Sequence, residues 1–537
     1  MINKVGNRKH YNPDNPTLNA ALQSQDADKW LEAINTEYKN LGVENTWEAV
    51  LALPPGKPWI PSHMVLVRQR YATGEIKKYK ARLVANGSRQ RYFYFDENSS
   101  PTARETTVKF FYAKTAALNR RLRTFDVKGA YLKSDIDEEI YMLLPKKNVN
   151  DESQYVILKK SLYGLKQAGK LWFENIRGVL MKMGFEQSTG DECAYSIYND
   201  KLKDIIDVVI HVDDILSSSM KTESTDWLFA QLKIAYGEVN ETTTTETHLG
   251  MRWEVQNNGD IVISQPGYIK KIVTELKLEH SNNEILPYCQ STAITVISVV
   301  HKEEHTIQLR KILGLLNHAA IHTRPDILYC VVELQTKVSV ATDTHIRQAL
   351  HIVKYLKGTS TLGLRFSGNT NTEIEASIDA ARDLTHPDSK GHSGICVRLD
   401  NHKTAPFHTS KKQSLVTRSA NEAEIFAIDQ GCLDIQWIRE MLEFLHCKQN
   451  KPTIIYEDNE AAIGMLTGMT NLGTKSKHIK WRYNYALQTI KENTVRVEWI
   501  NTEKQIADIL TKKNFTNKQF YFLRSEILNC ENSKTGL

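Results

Sequence analysis

The chain has 537 residues, with 69 Lys and Arg against 63 Asp and Glu, a formal net charge of +6, and 41% hydrophobic residues. That length exceeds one hydrophobic core, and that composition excludes a disordered or fibrous chain. The seven cysteines form no Cys-x-x-Cys pair, so they offer neither a zinc ligand set nor a disulfide framework. No apolar run is long enough to cross a bilayer and no signal peptide opens the chain, so a soluble intracellular protein is expected.

Residues 1–15 (MINKVGNRKHYNPDN) are polar and expected to be disordered. Residues 16–50 read as a helix and then a strand beginning near Thr46. Pro54, Pro55, Gly56 and Pro58 mark a turn. Residues 60–95 read as strands with a hairpin turn at Gly74-Glu75. Charge is one-sided there. Arg68, Arg70, Lys77, Lys78, Lys80, Arg82, Arg89 and Arg91 stand against Glu75 alone, with Tyr71, Tyr79, Tyr92 and Phe93 interleaved. This fits a nucleic-acid track better than a solvated face.

Residues 105–119 are expected as a helix and 122–127 as a strand ending at Asp126. A further helix lies between Gly164 and Met183. The β-branched run DVVIH at 207–211, then Asp213 and Asp214, then ILSSS at 215–219 read as a tight hairpin with both carboxylates at its tip. Neighbouring carboxylates repel, so the pair implies either a divalent cation or a turn that tolerates Asp. Asp126, in the apolar frame FDVKGAYL, supplies a third carboxylate. These three suffice to hold two Mg²⁺ ions roughly 3.5–4 Å apart, which can activate a 3′-hydroxyl and stabilise leaving pyrophosphate.

Further on, Arg324-Pro325-Asp326 reads as structural, with Asp326 capping a helix behind Pro325. Cys330 and Cys432 sit in apolar helical surroundings and are expected in the core. TEIEASID at 372–379 alternates apolar and polar residues as a half-buried strand does. Helices near 420–432 and 459–467 flank a strand at 453–457. A strand at 494–500 and a helix at 503–512 close a mixed α/β pattern.

Several motifs occur in a familiar order. They are WLEAINTEYKNLGVENTWEAV at 30–50, KYKARLVANGSRQ at 78–90, FDVKGAYL at 125–132, EEIYMLLP at 138–145 and KSLYGLKQAGKLWF at 160–173. The double Asp follows, then LGLLNHAAIHTRPDI, YLKGT, KKQSLVTRSANEAEIFAI, IYEDNEAAI, KHI and EKQIADILTKK. Over about residues 16–525 the chain resembles the reverse transcriptase and RNase H part of a copia-type LTR-retrotransposon Pol polyprotein. The resemblance implies a multidomain α+β and α/β fold, a right-hand polymerase followed by an RNase H-like domain. Fingers and palm would occupy 16–224, thumb and connection 225–369, the RNase H-like domain 370–525, and a tail 526–537. The zinc knuckle, protease and integrase of that family are not visible, so a fragment is expected.

The resemblance also implies roles. Asp126, Asp213 and Asp214 would be the polymerase metal ligands. Lys80 and Arg82 would hold the incoming triphosphate. Tyr131 would be the gate against a ribose 2′-hydroxyl, or else a core aromatic. Gln167 would contact the nucleotide, or else serve a turn; Lys166 would be a solvated charge and Trp172 would pack in the palm. Asp379, Glu424, Asp458 and Asp508 match the RNase H carboxylate series, with Glu422 the rival for the helical position. His211 stands where the family has Tyr, AARDL follows Asp379 in place of an Asp-Trp-Ala-Gly-like run, and Asn484 replaces a His.

The implied activity is RNA-directed DNA synthesis with linked RNase H. Each active site would use two Mg²⁺ ions, with Mn²⁺ as the alternative. The implied partners are RNA template, DNA or tRNA primer, RNA–DNA hybrid and deoxynucleoside triphosphates, with no membrane, alongside other Pol or Gag products. The expected location is cytoplasmic, in a virus-like particle for an intact element, or nuclear. The rival reading is a catalytically impaired relic or a host-adopted nucleic-acid-binding protein.

Overall fold

The computed structural model describes residues 13–70, 75–90, 99–145, 154–242, 247–248, 251–289, 301–382, 390–399, 404–468 and 479–530. The chain divides into two compact units. The first is Met1–Thr102, Asp126–Phe185 and Phe229–Asn240; the second is Ala103–Phe125, Glu186–Leu228 and Glu241–Leu537.

In the first unit, the expected single helix of 16–50 is two helices, Leu18–Leu22 and Ala27–Val43. Gln23 to Asp26 separate them, and the Ser24 hydroxyl accepts from Asp26 N at 3.3 Å, a local bond that competes with helix. Trp30, Ile34 and Leu41 share one face of the longer helix and are buried in the core. A five-stranded sheet runs Trp47–Val50, Tyr155–Leu158, Tyr141–Leu143, Trp59–Arg70, Ile76–Ala85. The last two form a long antiparallel hairpin; Gly74 of the expected turn lies outside the described residues. Ala81, Leu83 and Ala85 are buried. Alternation therefore puts Lys78, Lys80 and Arg82 together on the other face.

The LYGLKQA turn docks on the end of this hairpin. Ala85 N donates to Tyr163 O at 2.8 Å and Gly87 N to Gly164 O at 3.1 Å. Gly164 has φ +89°, and a Cβ there would lie 2.1 Å from Ala85 O. Only glycine satisfies both demands. The helix Ala168–Lys182 follows, with Trp172 on its buried side.

The second unit begins with the helix Glu105–Ala117, buried along nearly its whole length. Arg121–Phe125, this unit's part of the next strand, passes beside Asp214–Ser219, followed across the sheet by Asp204–His211, Ala194–Asn199 and Glu186–Gln187. Asp207, fully buried, accepts from Lys114 Nζ at 2.6 Å and from Arg120 at 2.9 Å. A second sheet combines Thr247–His248, Met251–Val255, Ile261–Ser264 and Gly363–Phe366. Helices Glu303–His322, Leu328–Gln335 and Asp343–Gly358 also belong to this unit.

Asp326 does not cap a helix. Its two oxygens accept from Arg324 at 2.9 and 2.8 Å, and Tyr355 OH adds a third bond at 2.5 Å. Both charges are fully buried, so each is worth more as the other's partner than as a cap. Cys330 and Cys432 are buried as expected, and all seven cysteines are free.

The last sheet runs Phe407–Lys412, His392–Leu399, Ile374–Ala381, Thr453–Glu457, Val495–Trp499, the first two pairings antiparallel and the last two parallel. The helix Ala420–Phe444 packs on it and runs a further three turns beyond the expected 420–432. The expected helix at 503–512 is instead two 3₁₀ segments, Thr502–Lys504 and Ile506–Leu510. Gln505 breaks it with an extended backbone, and its buried amide donates to Ile378 O at 2.9 Å and Tyr456 O at 3.2 Å. The helix Asn517–Leu528 completes the unit. No helix among the described residues is long and apolar enough to cross a membrane.

Gly164→Ala is expected to destabilise the first unit by roughly 1–3 kcal/mol from the left-handed backbone alone, with the clash at Ala85 O added. Urea unfolding of the variant should show a lower midpoint; an unchanged midpoint would contradict the backbone argument.

Candidate active site

Asp379 lies on the central strand of the last sheet, 1% exposed. The parallel register pairs Ser377 with Tyr456. Two residues further along, Asp379, near the end of its strand, and Asp458, just past the end of its own, stand level. Asp508 comes from the 3₁₀ segment that Gln505 fastens to these same two strands. One carboxylate oxygen from each of Asp379, Asp458 and Asp508 lies within 4.8 Å of the others.

Glu424 and its rival Glu422 have separate surroundings. Ser419 accepts from Glu422 N at 3.2 Å, and the Glu422 carboxylate accepts from Arg418 N at 2.7 Å. Glu422 thus serves the helix start. Glu424 is buried, and its Oε2 makes no hydrogen bond. Burial, then the charges of Glu457, Asp379 and Asp458, hold its pKa well above the usual carboxylate range. Burial and the Asp379 charge push Asp508 up to about 7.

Two residues here escaped the sequence reading. Glu457 is fully buried, with Oε2 unpaired, and burial holds its pKa well above normal, helped by Asp379 and Asp458. The strand TIIYE has Thr453, Ile455 and Glu457 on its buried side. A carboxylate at an inward position of an alternating strand was the available signal. Lys512 is the second. Its Nζ donates to Asp508 Oδ1 at 2.7 Å and to Asp379 Oδ1 at 3.1 Å. Thr511 Oγ1 donates to the other oxygen of Asp379. Hard oxygen donors in this number, two of them buried and unpaired, fit Mg²⁺ or Mn²⁺.

The double-Asp hairpin forms, but with one carboxylate rather than both in its turn. Asp214 pairs with His211, leaving Val212 and Asp213 at the tip. Val212 has φ 58°, a left-handed backbone that a β-branched residue rarely adopts. Asp213 and Asp214 are half-buried. Burial and then the charge of Asp214 push the Tyr112 hydroxyl pKa up. His211 is also half-buried, with Nδ1 unpaired, and burial keeps it below the ordinary imidazole value. Asp126 belongs to the first unit, where it accepts from Asn240 Nδ2 at 3.3 Å, while Asp213 and Asp214 belong to the second.

In the first unit, the basic track is narrower than its composition suggested. Arg68 pairs with Asp26 at 2.8 Å, and Arg70 with Asp14 at 2.8 Å. Tyr79 points to the core side, edge-on to Trp30 at 4.7 Å. Arg91, Tyr71, Tyr92 and Phe93 lie outside the described residues. Lys78, Lys80 and Arg82 keep one face, and the Arg82 guanidinium stacks 4.7 Å from the Tyr163 ring. Tyr131 meets the same Tyr163 edge-on at 4.7 Å. Gln167 is buried and accepts from Gln90 Nε2 at 3.0 Å, with its own Nε2 unpaired. Lys166 is not simply solvated, since its Nζ donates to Gln90 O at 3.1 Å. Asn484 is exposed on the helix Lys480–Lys491. Asp383 and Leu384 of the AARDL run lie outside the described residues.

Residues 44–290 match the family model for reverse transcriptase (RNA-dependent DNA polymerase). The Retrovirus-related Pol polyprotein from transposon RE2 of Arabidopsis thaliana is 28% identical over 508 residues, covering 93% of this chain and 34% of the relative. The corresponding polyprotein from transposon TNT 1-94 of Nicotiana tabacum is 25% identical, covering 94% of this chain and 38% of the relative. The chain thus spans about a third of the length of the curated relatives it matches. The foamy viral protease-reverse transcriptase, solved in complex with double-stranded DNA, shares the fold at TM-score 0.50 and 12% identity, over 88% of this chain and 70% of that one. The chain is thus similar over nearly its whole length to retrovirus-related Pol polyproteins of transposons, and at residues 44–290 to the reverse transcriptase (RNA-dependent DNA polymerase) family.

Proposed function

We propose that the chain is an RNA-directed DNA polymerase with a linked RNase H, the corresponding part of a copia-type element. The observation that carries the RNase H half is the convergence of Asp379, Asp458 and Asp508 within 4.8 Å, beside the unpaired buried oxygens of Glu424 and Glu457. Asp379, Glu424, Asp458 and Asp508 would hold Mg²⁺ or Mn²⁺, two ions to the site. When bound, the ions sharpen the nucleophile and stabilise charge building on the phosphate. The protein's own part is to fix the ligands. The Gln505 amide fastens the Asp508 segment to both carboxylate-bearing strands, and Thr511 orients Asp379.

For the polymerase half, the family match supports Asp126, Asp213 and Asp214 as metal ligands. The strained tip at Val212 supports a site held against its local preference. Lys80 and Arg82 would hold the triphosphate, Tyr131 would gate the ribose, and Gln167 and His211 would contact nucleotide and primer. The domain division 16–224, 225–369 and 370–525 is part of this proposal. So are RNA template, DNA or tRNA primer, hybrid and deoxynucleoside triphosphate partners. So is a cytoplasmic, particle-bound or nuclear location with other Pol or Gag products of the element.

Asp458→Asn should remove hybrid-RNA cleavage and spare primer extension, because it takes a ligand charge from one metal cluster only. Asp213→Asn should abolish extension and spare hybrid binding, since phosphate contacts dominate affinity. Both are read on a labelled primer–RNA template with Mg²⁺. If Asp458→Asn stops extension as strongly as cleavage, the two centres are not independent. A wild type that binds hybrid and turns over neither substrate would favour the relic reading.

Neutralising Lys78, Lys80 and Arg82 together should raise the nucleotide Michaelis constant. It should also flatten the salt dependence of template binding, by about 0.7–0.9 in log–log slope for each phosphate deprived of its cation. An unchanged slope and an unchanged Michaelis constant would make this face merely solvated.

A further inference from the structure

We propose that the Lys512 ammonium is a built-in exchangeable cation of the carboxylate cluster, so that divalent metal enters by displacing it from Asp379 and Asp508. The inference rests on the reading of this cluster as a metal centre. It concerns a residue that the four-carboxylate series does not include.

The geometry is specific. Asp379 offers its two oxygens to different partners. Oδ2 accepts from the Thr511 hydroxyl, and Oδ1 accepts from Lys512 Nζ at 3.1 Å. The same ammonium reaches Asp508 Oδ1 at 2.7 Å. Lys512 therefore bridges two of the three carboxylates that come within 4.8 Å of one another. A metal ion held by Asp379 Oδ1 and Asp508 Oδ1 would need the oxygens that Lys512 holds, and two cations cannot occupy one oxygen pair without strong repulsion.

The two partners of Asp379 differ in freedom. Thr511 is 1% exposed, so its hydroxyl is fixed. The Lys512 side chain is 37% exposed, and its backbone N is anchored to Asp508 O at 2.8 Å. The side chain can therefore swing its ammonium into water by rotation of its own stem. Thr511 keeps Asp379 aimed while this happens. Lys513 cannot take over, because its ammonium is held by both oxygens of Glu333 at 2.6 and 2.8 Å. The ammonium offsets part of the repulsion among these carboxylates. It also raises the metal concentration needed to fill the site.

The test uses the full chain and Mn²⁺. Electron paramagnetic resonance titration counts bound ion, and the relevant class of sites is the one missing from Asp458→Asn. Lys512→Met should bind that class about tenfold more tightly, the ratio that about 1.4 kcal/mol produces. It should also melt at lower temperature in chelator and gain more from added Mn²⁺ than wild type. Lys512→Arg keeps the charge and should stay near wild type. Equal affinity in wild type and Lys512→Met, or weaker binding by Lys512→Met, would overturn the exchange. So would the same tightening in Lys512→Arg. If Asp458→Asn removes no class of bound Mn²⁺ from wild type, the metal-centre reading itself fails, and the exchange falls with it.

Discussion

Carboxylates crowded at the end of one buried strand pair are the constraint on which the C-terminal part of the structure depends. Asp379, Glu424, Glu457 and Asp508 are each at most 5% exposed. Negative charges placed this way are costly unless cations or donors face them. The fold answers with fixed supports. The sheet holds Asp379 and Asp458 level, the Gln505 amide clamps the loop that carries Asp508, and Thr511 and Lys512 occupy the Asp379 oxygens. Glu424 and Glu457 still keep an unpaired buried oxygen each. The arrangement is under-neutralised by its own residues, and that is what supports the proposal that it binds hard cations.

The second unit contains buried charges of the opposite kind, and the contrast is informative. Asp207 is surrounded by Lys114, Arg120 and the Ser196 hydroxyl, and Lys114 reaches on to Leu445 O. Asp326 is covered by Arg324 and Tyr355, while Arg324 also donates to Thr359. These carboxylates have their partners within the chain and need no ligand. Removing one member would leave a buried charge exposed to a poor dielectric, at a cost of about 3–5 kcal/mol. Burial of a carboxylate alone therefore does not mark function. Burial with unpaired oxygens, next to further carboxylates, is what supports the proposed cation site.

Much of this was legible in the sequence where the signal is local. The apolar β-branched run before Asp213 and the alternation of TEIEASID each mark a strand that forms, though the second continues two residues past Asp379, to Ala381. Glu457 obeys the same rule and is masked by the more conspicuous Asp458 beside it. Other features depend on partners remote in the chain. Arg68 and Arg70 look like part of a basic track until Asp26 and Asp14 fold against them. Tyr79 looks like a stacking platform until Trp30 takes its ring. The helix expected at 503–512 fails because Gln505 bonds to carbonyls at Ile378 and Tyr456, which no local propensity contains.

The most direct test of the metal-centre claim is anomalous diffraction from crystals soaked in Mn²⁺. The account predicts a strong peak bounded by the carboxylates of Asp379, Asp458 and Asp508, with Lys512 turned away, and its loss in Asp458→Asn. Contradiction would be the absence of any peak there at saturating Mn²⁺, with Lys512 still bonded to Asp379 and Asp508.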